Sequence, residues 1–365
     1  MTLAFDHVTL GQRVHFGAGR AAEAVAAEVE RLGAQRVMLI AGQAEAAVAD
    51  AVTARIAVAA RFDEVVQHVP VELAEKARSA AIAVQADLLV SVGGGSTTGF
   101  AKAIALTTGI PIVAVPTTYA GSEATPVWGL TEESRKTTGI DLRVLPVTVV
   151  YDPDLTMSLP VDLSVASGLN GIAHCVDSMW APAADPINSA LAVEGTRAIA
   201  AGLRAIVADP QDAEGRAAAL YGAYLSAVAF ASAGSGMHHK ICHVLGGTFD
   251  LPHAPTHAVV LPYVTAYNSP AASEAARRIG EALGNGDALE GLELLRRETG
   301  APTSLKDLGM PGDGIELAAE LALAAIPESN PRAVTKQSLV RLLHAAWAGQ
   351  PARDLIHDIR GGESA

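Results

Sequence analysis

Short apolar runs alternate with amphipathic repeats through the first part of the chain, and each run is bounded by glycine or polar residues. Residues 14–16 read as a short strand, closed by Gly17, Ala18 and Gly19. Residues 21–32 place apolar side chains at helical spacing, with Gly33 just past the end. Residues 36–40 are apolar after a polar start, as a strand buried on both faces should be. The pattern then predicts a helix over 45–56, an alternating strand over 64–69 and a helix over 72–85. Strands are predicted over 88–92, 112–115 and 148–151, with a helix over 100–107. Strands and helices alternating at these lengths predict a parallel sheet covered on both faces.

From Leu163 onward the strand signals fade. Helical spacing recurs over 164–181, 190–207, 213–233, 273–283, 288–298, 315–325 and 335–346, punctuated by prolines such as Pro186, Pro210, Pro252 and Pro302. The expected organisation is an α/β dinucleotide-binding domain over 1–156 and an all-helical catalytic domain over 157–365.

Composition narrows the classes. Half of the 365 residues are hydrophobic and 18% are charged, which predicts a globular protein. A formal net charge of −13 argues against nucleic acid or an anionic membrane as partner. The chain shows no basic and apolar leader and no apolar run near the roughly 20 residues that span a bilayer. Two cysteines, Cys175 and Cys242, make no disulfide framework and read as buried thiols of a reducing cytoplasm.

Two loops fall where the carboxyl ends of strands belong. Gly93, Gly94, Gly95 and Ser96 lie between a strand and a helix, where backbone amides can approach a pyrophosphate. The second loop, from Pro116 to Glu123, carries Thr117, Thr118 and Ser122, whose hydroxyls suit phosphate or ribose oxygens. The second strand ends Ala41-Gly42-Gln43, without an acid to hold a ribose 2′-hydroxyl and repel a 2′-phosphate.

The densest chemistry lies in GMHHKICHVLGGTFDLPHAPTHAVVLP, from Gly236 to Pro262, which holds five of the eleven histidines. His239 and His243 stand four apart and share one helix face. Gly246 and Gly247 are expected to end that helix, and His253 opens the next segment after Pro252. Upstream, Asn170 and His174 repeat the spacing of four. Two such pairs and a third histidine after a turn predict a site built from imidazoles around one amide.

These segments resemble the iron-containing alcohol dehydrogenase superfamily, whose fold is dehydroquinate synthase-like, essentially from end to end. In that family an aspartate, a histidine four residues on, and two histidines fourteen residues apart hold the metal. Asn170, His174, His239 and His253 stand at those positions, and His243 matches a further histidine near the nicotinamide. Asn170 for aspartate, Gly99 for the acid of GGGSxxDxAK, and the loop PTTYAGSEATPVWGLTE together resemble the maleylacetate reductase branch. That branch reduces the alkene of maleylacetate to 3-oxoadipate with NADH or NADPH during bacterial breakdown of resorcinol- and hydroxyquinol-type aromatics.

The resemblance implies a homodimer, a small dicarboxylate substrate and no required metal. His243 and His253 would serve the reacting centre, with His174 and His239 as donors to the ketone or a carboxylate. Asn170, Lys240 and His238 are candidates for substrate binding. Lys136 matches a lysine near the cofactor ribose. Protonated imidazoles would supply the local positive field that a dianion needs in an acidic protein. The rival readings are a metal-dependent alcohol dehydrogenase, a lyase of the dehydroquinate synthase type, and a protein that binds a cofactor without turnover.

Overall fold

A computed structural model describes residues 4–132 and 135–355. Among them the chain divides into two compact units: 10–132 and 135–159 with 211–220, and 4–9 with 160–210 and 221–355.

In the first unit, β1 (Arg13–Phe16), β2 (Val37–Ile40), β3 (Val58–Phe62), β4 (Leu88–Gly93), β5 (Ile112–Pro116) and β8 (Thr148–Tyr151) form one sheet in the order β1-β8-β5-β4-β2-β3. Every pairing in it is parallel. Successive strand residues point to opposite faces, and both faces are apolar. Met38, Ile40 and Leu89 join one core, and Val37, Leu39, Leu88, Val90 and Val92 join the other. Helices α3 (Val71–Ala83) and α4 (Gly95–Thr108) cover the first face through Ala74, Ala77, Phe100 and Ile104. Helices α1 (Ala21–Leu32) and α2 (Ala46–Thr53) cover the second through Ala24, Val25, Ala49 and Val52.

The strand expected over 64–69 is absent. That stretch is irregular, with His68 and Val69 at positive φ, and the edge strand is β3 instead. β3 is exposed along most of its length, so it lacks the apolar signal its register requires. A two-stranded antiparallel ribbon, β6 (Val127–Glu132) with β7 (Arg135–Ile140), was not legible in the sequence.

In the second unit the helices are α5 (Val161–Ser178), α6 (Pro186–Ala208), the end of α7 (Ala213–Ala233), α8 (Met237–Phe249), α9 (His253–Asn268), α10 (Ser273–Ala282), α11 (Ala288–Thr299), α12 (Ile315–Ala325) and α13 (Lys336–Ala348). α5 is buried from Ser164 to Ser178. Its glycines admit α6 closely: a Cβ on Gly168 would stand 2.8 Å from Leu203 and one on Gly171 2.8 Å from Ile199. Among the described residues no single helix is long and apolar enough to cross a membrane.

Two excursions escape a break at residue 156. His7 holds the amino-terminal segment to the helical unit through Nδ1 and Asp185 Oδ2 at 2.8 Å. Residues 211–220 belong with the sheet unit, where Arg216 is fully buried and donates to the Leu159 carbonyl at 3.1 Å.

Candidate active site

The nucleotide loop is tighter than expected, because α4 begins at Gly95 and leaves only a short turn after β4. Gly93 has φ near +151°, and a Cβ there would lie 2.4 Å from Thr97 Oγ1. A Cβ on Gly94 would stand 3.1 Å from Thr118 Cγ2, and one on Gly95 3.3 Å from the Ala120 Cβ. The glycine loop therefore packs directly on the threonine loop, and Thr117 N–H donates to the Gly93 carbonyl at 3.1 Å. Ser96, Thr118 and Ser122 are half-buried beside it, and Thr117 is buried. Bare backbone at a helix amino terminus, with little room for side chains, fits the pyrophosphate of a dinucleotide.

Lys102 fixes this geometry from below. Its Nζ donates to the carbonyls of Ser122 at 2.6 Å, Thr125 at 2.8 Å and Val127 at 2.7 Å. Burial lowers its pKa to about 7, and the Glu123 charge opposes the shift. Lys136 lies on β7 opposite Thr131, and its side chain falls outside the described residues.

The histidine cluster lies wholly within the helical unit. α5 contributes Asn170 and His174; α8 contributes His238, His239 and His243; α9 contributes His253 and His257. The α8 pairs follow from its packing: Met237, Ile241 and Leu245 form an i, i+4 stripe in the core, and Phe249 continues it. That stripe carries the helix through Gly246 and Gly247, correcting the expected stop. α8 ends instead at Asp250 in the left-handed conformation, with φ 53°.

The rings converge. The centroids of His174 and His239 lie 4.9 Å apart with the planes 15° from parallel, and Phe230 packs on both, 4.8 and 4.3 Å away. His257 lies 4.8 Å from His239 and 4.4 Å from His253, and His243 lies 6.1 Å from His239. His174, His238, His239 and His257 are buried, His243 and Lys240 half-buried, and His253 exposed. Among the described residues, Asn170 Oδ1, His174 Nδ1, His239 Nε2 and His257 Nε2 are buried without a hydrogen-bond partner.

Burial governs the protonation of this cluster. It lowers the pKa of His174 to about 4, with the His243 charge adding to the shift, and that of His238 to about 3, with His174 and His243 adding. It holds His239 and His257 well below their usual range. These four rings are neutral near pH 7, so the positive field expected of protonated His174 and His239 is not supplied by them. His238 is also not on a solvated face. It is completely buried, with Nε2 2.9 Å from His257 Nδ1.

Sequence reasoning left His257 without a role and missed Asp177, although each follows another site residue by three or four positions on one helix. Asp177 is buried and its Oδ2 accepts from His239 Nδ1 at 2.8 Å.

The residues at the family's metal positions do not fit a resident iron. Asn170, His174, His239 and His253 offer neutral donors and no anion, and an amide oxygen is a poor ligand for iron or zinc. His238, Cys242 and His257 also bring ligand atoms within 4.8 Å of one another. There the 2.9 Å between ring nitrogens is a hydrogen bond, shorter than the about 3.3 Å that two nitrogens keep around tetrahedral zinc. Burial also holds the Cys242 thiol well above its usual pKa.

A parallel-sheet unit with a glycine turn, and a helical unit with clustered imidazoles, define a class of nucleotide-dependent oxidoreductases. The model of the iron-containing alcohol dehydrogenase family matches residues 11–153, and that of the family's C-terminal domain matches 164–347. The chain belongs to the iron-containing alcohol dehydrogenase family of oxidoreductases. A maleylacetate reductase of Sphingobium indicum is 48% identical over 96% of this chain and 99% of its own. An iron-containing alcohol dehydrogenase of Corynebacterium glutamicum is 60% identical, with a TM-score of 0.95 over 97% of this chain and 100% of its own. The maleylacetate reductase of Agrobacterium tumefaciens is 41% identical, with a TM-score of 0.91 over 96% and 100%.

Proposed function

We propose that the chain reduces the alkene of maleylacetate to 3-oxoadipate with NADH or NADPH. The observation that carries this reading is Asn170 within a buried, neutral imidazole cluster, in a chain 48% identical to a maleylacetate reductase. When bound, the reduced nicotinamide supplies a hydride to the alkene carbon β to the ketone. Gly94, Gly95 and Ser96 would hold the pyrophosphate, with Thr117, Thr118 and Ser122 on the facing loop.

Negative charge then develops on the ketone oxygen, and no alkoxide has to be generated. His243 and His253, the less buried rings, would donate to that oxygen and supply a proton. α9 starts at His253 with no side-chain cap, so its first amides and its dipole favour a carboxylate there. Lys240, on α8, lies within the same unit. The donor set at Asn170 supports turnover without a metal.

Cofactor choice is set near the end of β2. Ala41, Gly42 and Gln43 carry no acid, but Glu45 Oε2 would stand 2.7 Å from a Cβ on Gly42. Both cofactors are therefore expected to work, with NADH preferred by less than about a thousandfold, roughly 4 kcal/mol. A homodimer, a cytoplasmic location and the absence of nucleic-acid or membrane partners belong to the same reading, and the net charge of −13 supports the last.

The test is NADH oxidation with maleylacetate, beside a simple aldehyde with added iron or zinc. Turnover with maleylacetate in the presence of EDTA is expected. Turnover of the aldehyde alone, dependent on the metal, would establish the alcohol dehydrogenase reading that the name of the Corynebacterium glutamicum relative favours.

A further inference from the structure

Asp177 lies three residues after His174 on α5 and is completely buried. Its Oδ2 accepts from the backbone N–H of Gly236 at 2.9 Å and of His239 at 3.3 Å, and its Oδ1 from that of His238 at 3.4 Å. These are the first amides of α8, so one carboxylate caps a neighbouring helix. Glycine at 236 is needed for the approach, since a Cβ there would sit 2.6 Å from Oδ1.

The same carboxylate also receives the His239 ring, Nδ1 to Oδ2 at 2.8 Å. An ionised carboxylate only accepts hydrogen bonds, so Nδ1 is the donor in this pair. A neutral imidazole carries one proton, and with that proton on Nδ1 the other nitrogen presents a lone pair. That nitrogen is Nε2, which is buried and unpartnered among the described residues, as is Asn170 Oδ1. Three backbone N–H groups already donate to its two oxygens, so the carboxylate stands as an acceptor toward the ring as well.

We propose that Asp177 is a positioning residue that locks His239 in the Nδ1–H tautomer, so that Nε2 accepts a hydrogen bond from a water that carries the proton delivered by His243 or His253. This inference rests on the reductive reading above for its kinetic part only. It revises the expectation for His239: the ring orients a donor and does not itself bind a substrate carboxylate. A residue that orients a proton source acts on turnover, whereas one that binds a carboxylate acts on KM.

The experiment is a long-range proton–nitrogen correlation spectrum of histidine-labelled protein, with kinetics on Asp177→Asn and Asp177→Ala. In the unsubstituted protein, His239 is expected to show a protonated Nδ1 and an unprotonated Nε2. Asp177→Asn keeps the shape and an acceptor oxygen but loses the charge. It should give mixed tautomers and a kcat lower by about tenfold or more, with KM for maleylacetate within about twofold. Asp177→Ala should lose the Nδ1–H signature altogether, and if it fails to fold, Asp177→Asn carries the test. A proton found on Nε2 in the unsubstituted protein would overturn the proposal. So would an Asp177→Asn enzyme with unchanged kcat, or one whose loss lies wholly in KM. The spectrum needs no substrate, so failure to turn over maleylacetate would count against the reductive reading and leave the tautomer assignment to the spectrum.

Discussion

Adding one methyl group at Gly93 or at Gly94 separates the two tasks of the glycine turn. Gly93 has φ near +151°, a region essentially closed to other residues, and occupying it costs about 1–3 kcal/mol. Its Cβ would also lie 2.4 Å from Thr97 Oγ1, and relieving such an overlap in a packed site costs about 1–3 kcal/mol more. Gly93→Ala is thus expected to destabilise the sheet unit by about 2–6 kcal/mol. At about 2–4 °C per kcal/mol for a unit of this size, Tm should fall by roughly 4–24 °C. Gly94 is different. Its φ and ψ are −81° and −166°, open to any residue, and its Cβ would meet the Thr118 side chain, the methyl at 3.1 Å and the hydroxyl oxygen at 3.4 Å. A shift of a few tenths of an ångström accommodates that contact, so Gly94→Ala should cost less than about 1 kcal/mol of stability. The shift opens the seam between the two loops where backbone must approach the pyrophosphate. NADH affinity should therefore fall about tenfold, or about 1.4 kcal/mol. Thermal melts and titration of NADH fluorescence measure the two quantities independently. A Gly93→Ala protein as stable as the parent would refute the strain argument. A Gly94→Ala protein with unchanged NADH affinity would show that this turn does not hold the dinucleotide.

Two further predictions concern the histidine cluster. Asn170→Asp adds an anion beside neutral imidazoles and should raise affinity for iron or zinc at least about tenfold, measured by metal analysis after dialysis; unchanged affinity would mean that Asn170, His174, His239 and His253 do not converge. The rings' contribution to stability should be level above about pH 6.5 and fall toward pH 4, at no more than about 1.4 kcal/mol per pH unit for each ring, because the unfolded chain binds protons that buried His174, His238, His239 and His257 do not. Asp177, whose pKa burial raises, has the opposite sign, favouring the fold below its unfolded value and losing that contribution as pH rises through about 6, but it is one group against four. Urea melts at several pH values should show the slope, and His174→Gln should make it shallower; equal stability at pH 7 and pH 5 would contradict the neutral cluster.

The parallel sheet was legible because both its faces are apolar: runs such as 88–92 have no polar face to lose, and glycine or proline marks their ends. The edges were not. β3 is Val58–Phe62, whose exposed residues look less strand-like than the alternating but irregular stretch after it. The β6–β7 ribbon is built from partly exposed residues, and its local pattern does not show the partner that gives it shape. In the helical unit the spacing of four put Asn170 and His174 on one face of α5, and His239 and His243 on one face of α8. It could not show which ring would be buried, and burial decides that His238 pairs with His257 away from solvent. Asp177 was hidden for a related reason. A lone acid in an apolar helix becomes meaningful only when the amides of α8 are seen to reach it.

Burial also explains why asparagine at position 170 matters twice under the reductive reading. With a carboxylate there and a divalent ion bound, the charges offset each other. With a carboxylate and no ion, a dianionic substrate would meet a buried like charge, costing on the order of 3–4 kcal/mol at a separation of about 4–6 Å. The amide removes the ligand and the repulsion together. Asp177, an acid buried in the cluster, has its charge taken up by three backbone amides and the His239 ring. What remains facing the site from α5 and from the buried rings is neutral and oriented: Asn170, His174 and His239. Such a surface supplies little charge of its own. It leaves the positive field to Lys240 and the amino terminus of α9, and proton transfer to the less buried His243 and His253. An enolate can be stabilised on those terms because its charge is already spread over carbon and oxygen, whereas an alkoxide would call for the ion that Asn170 does not favour.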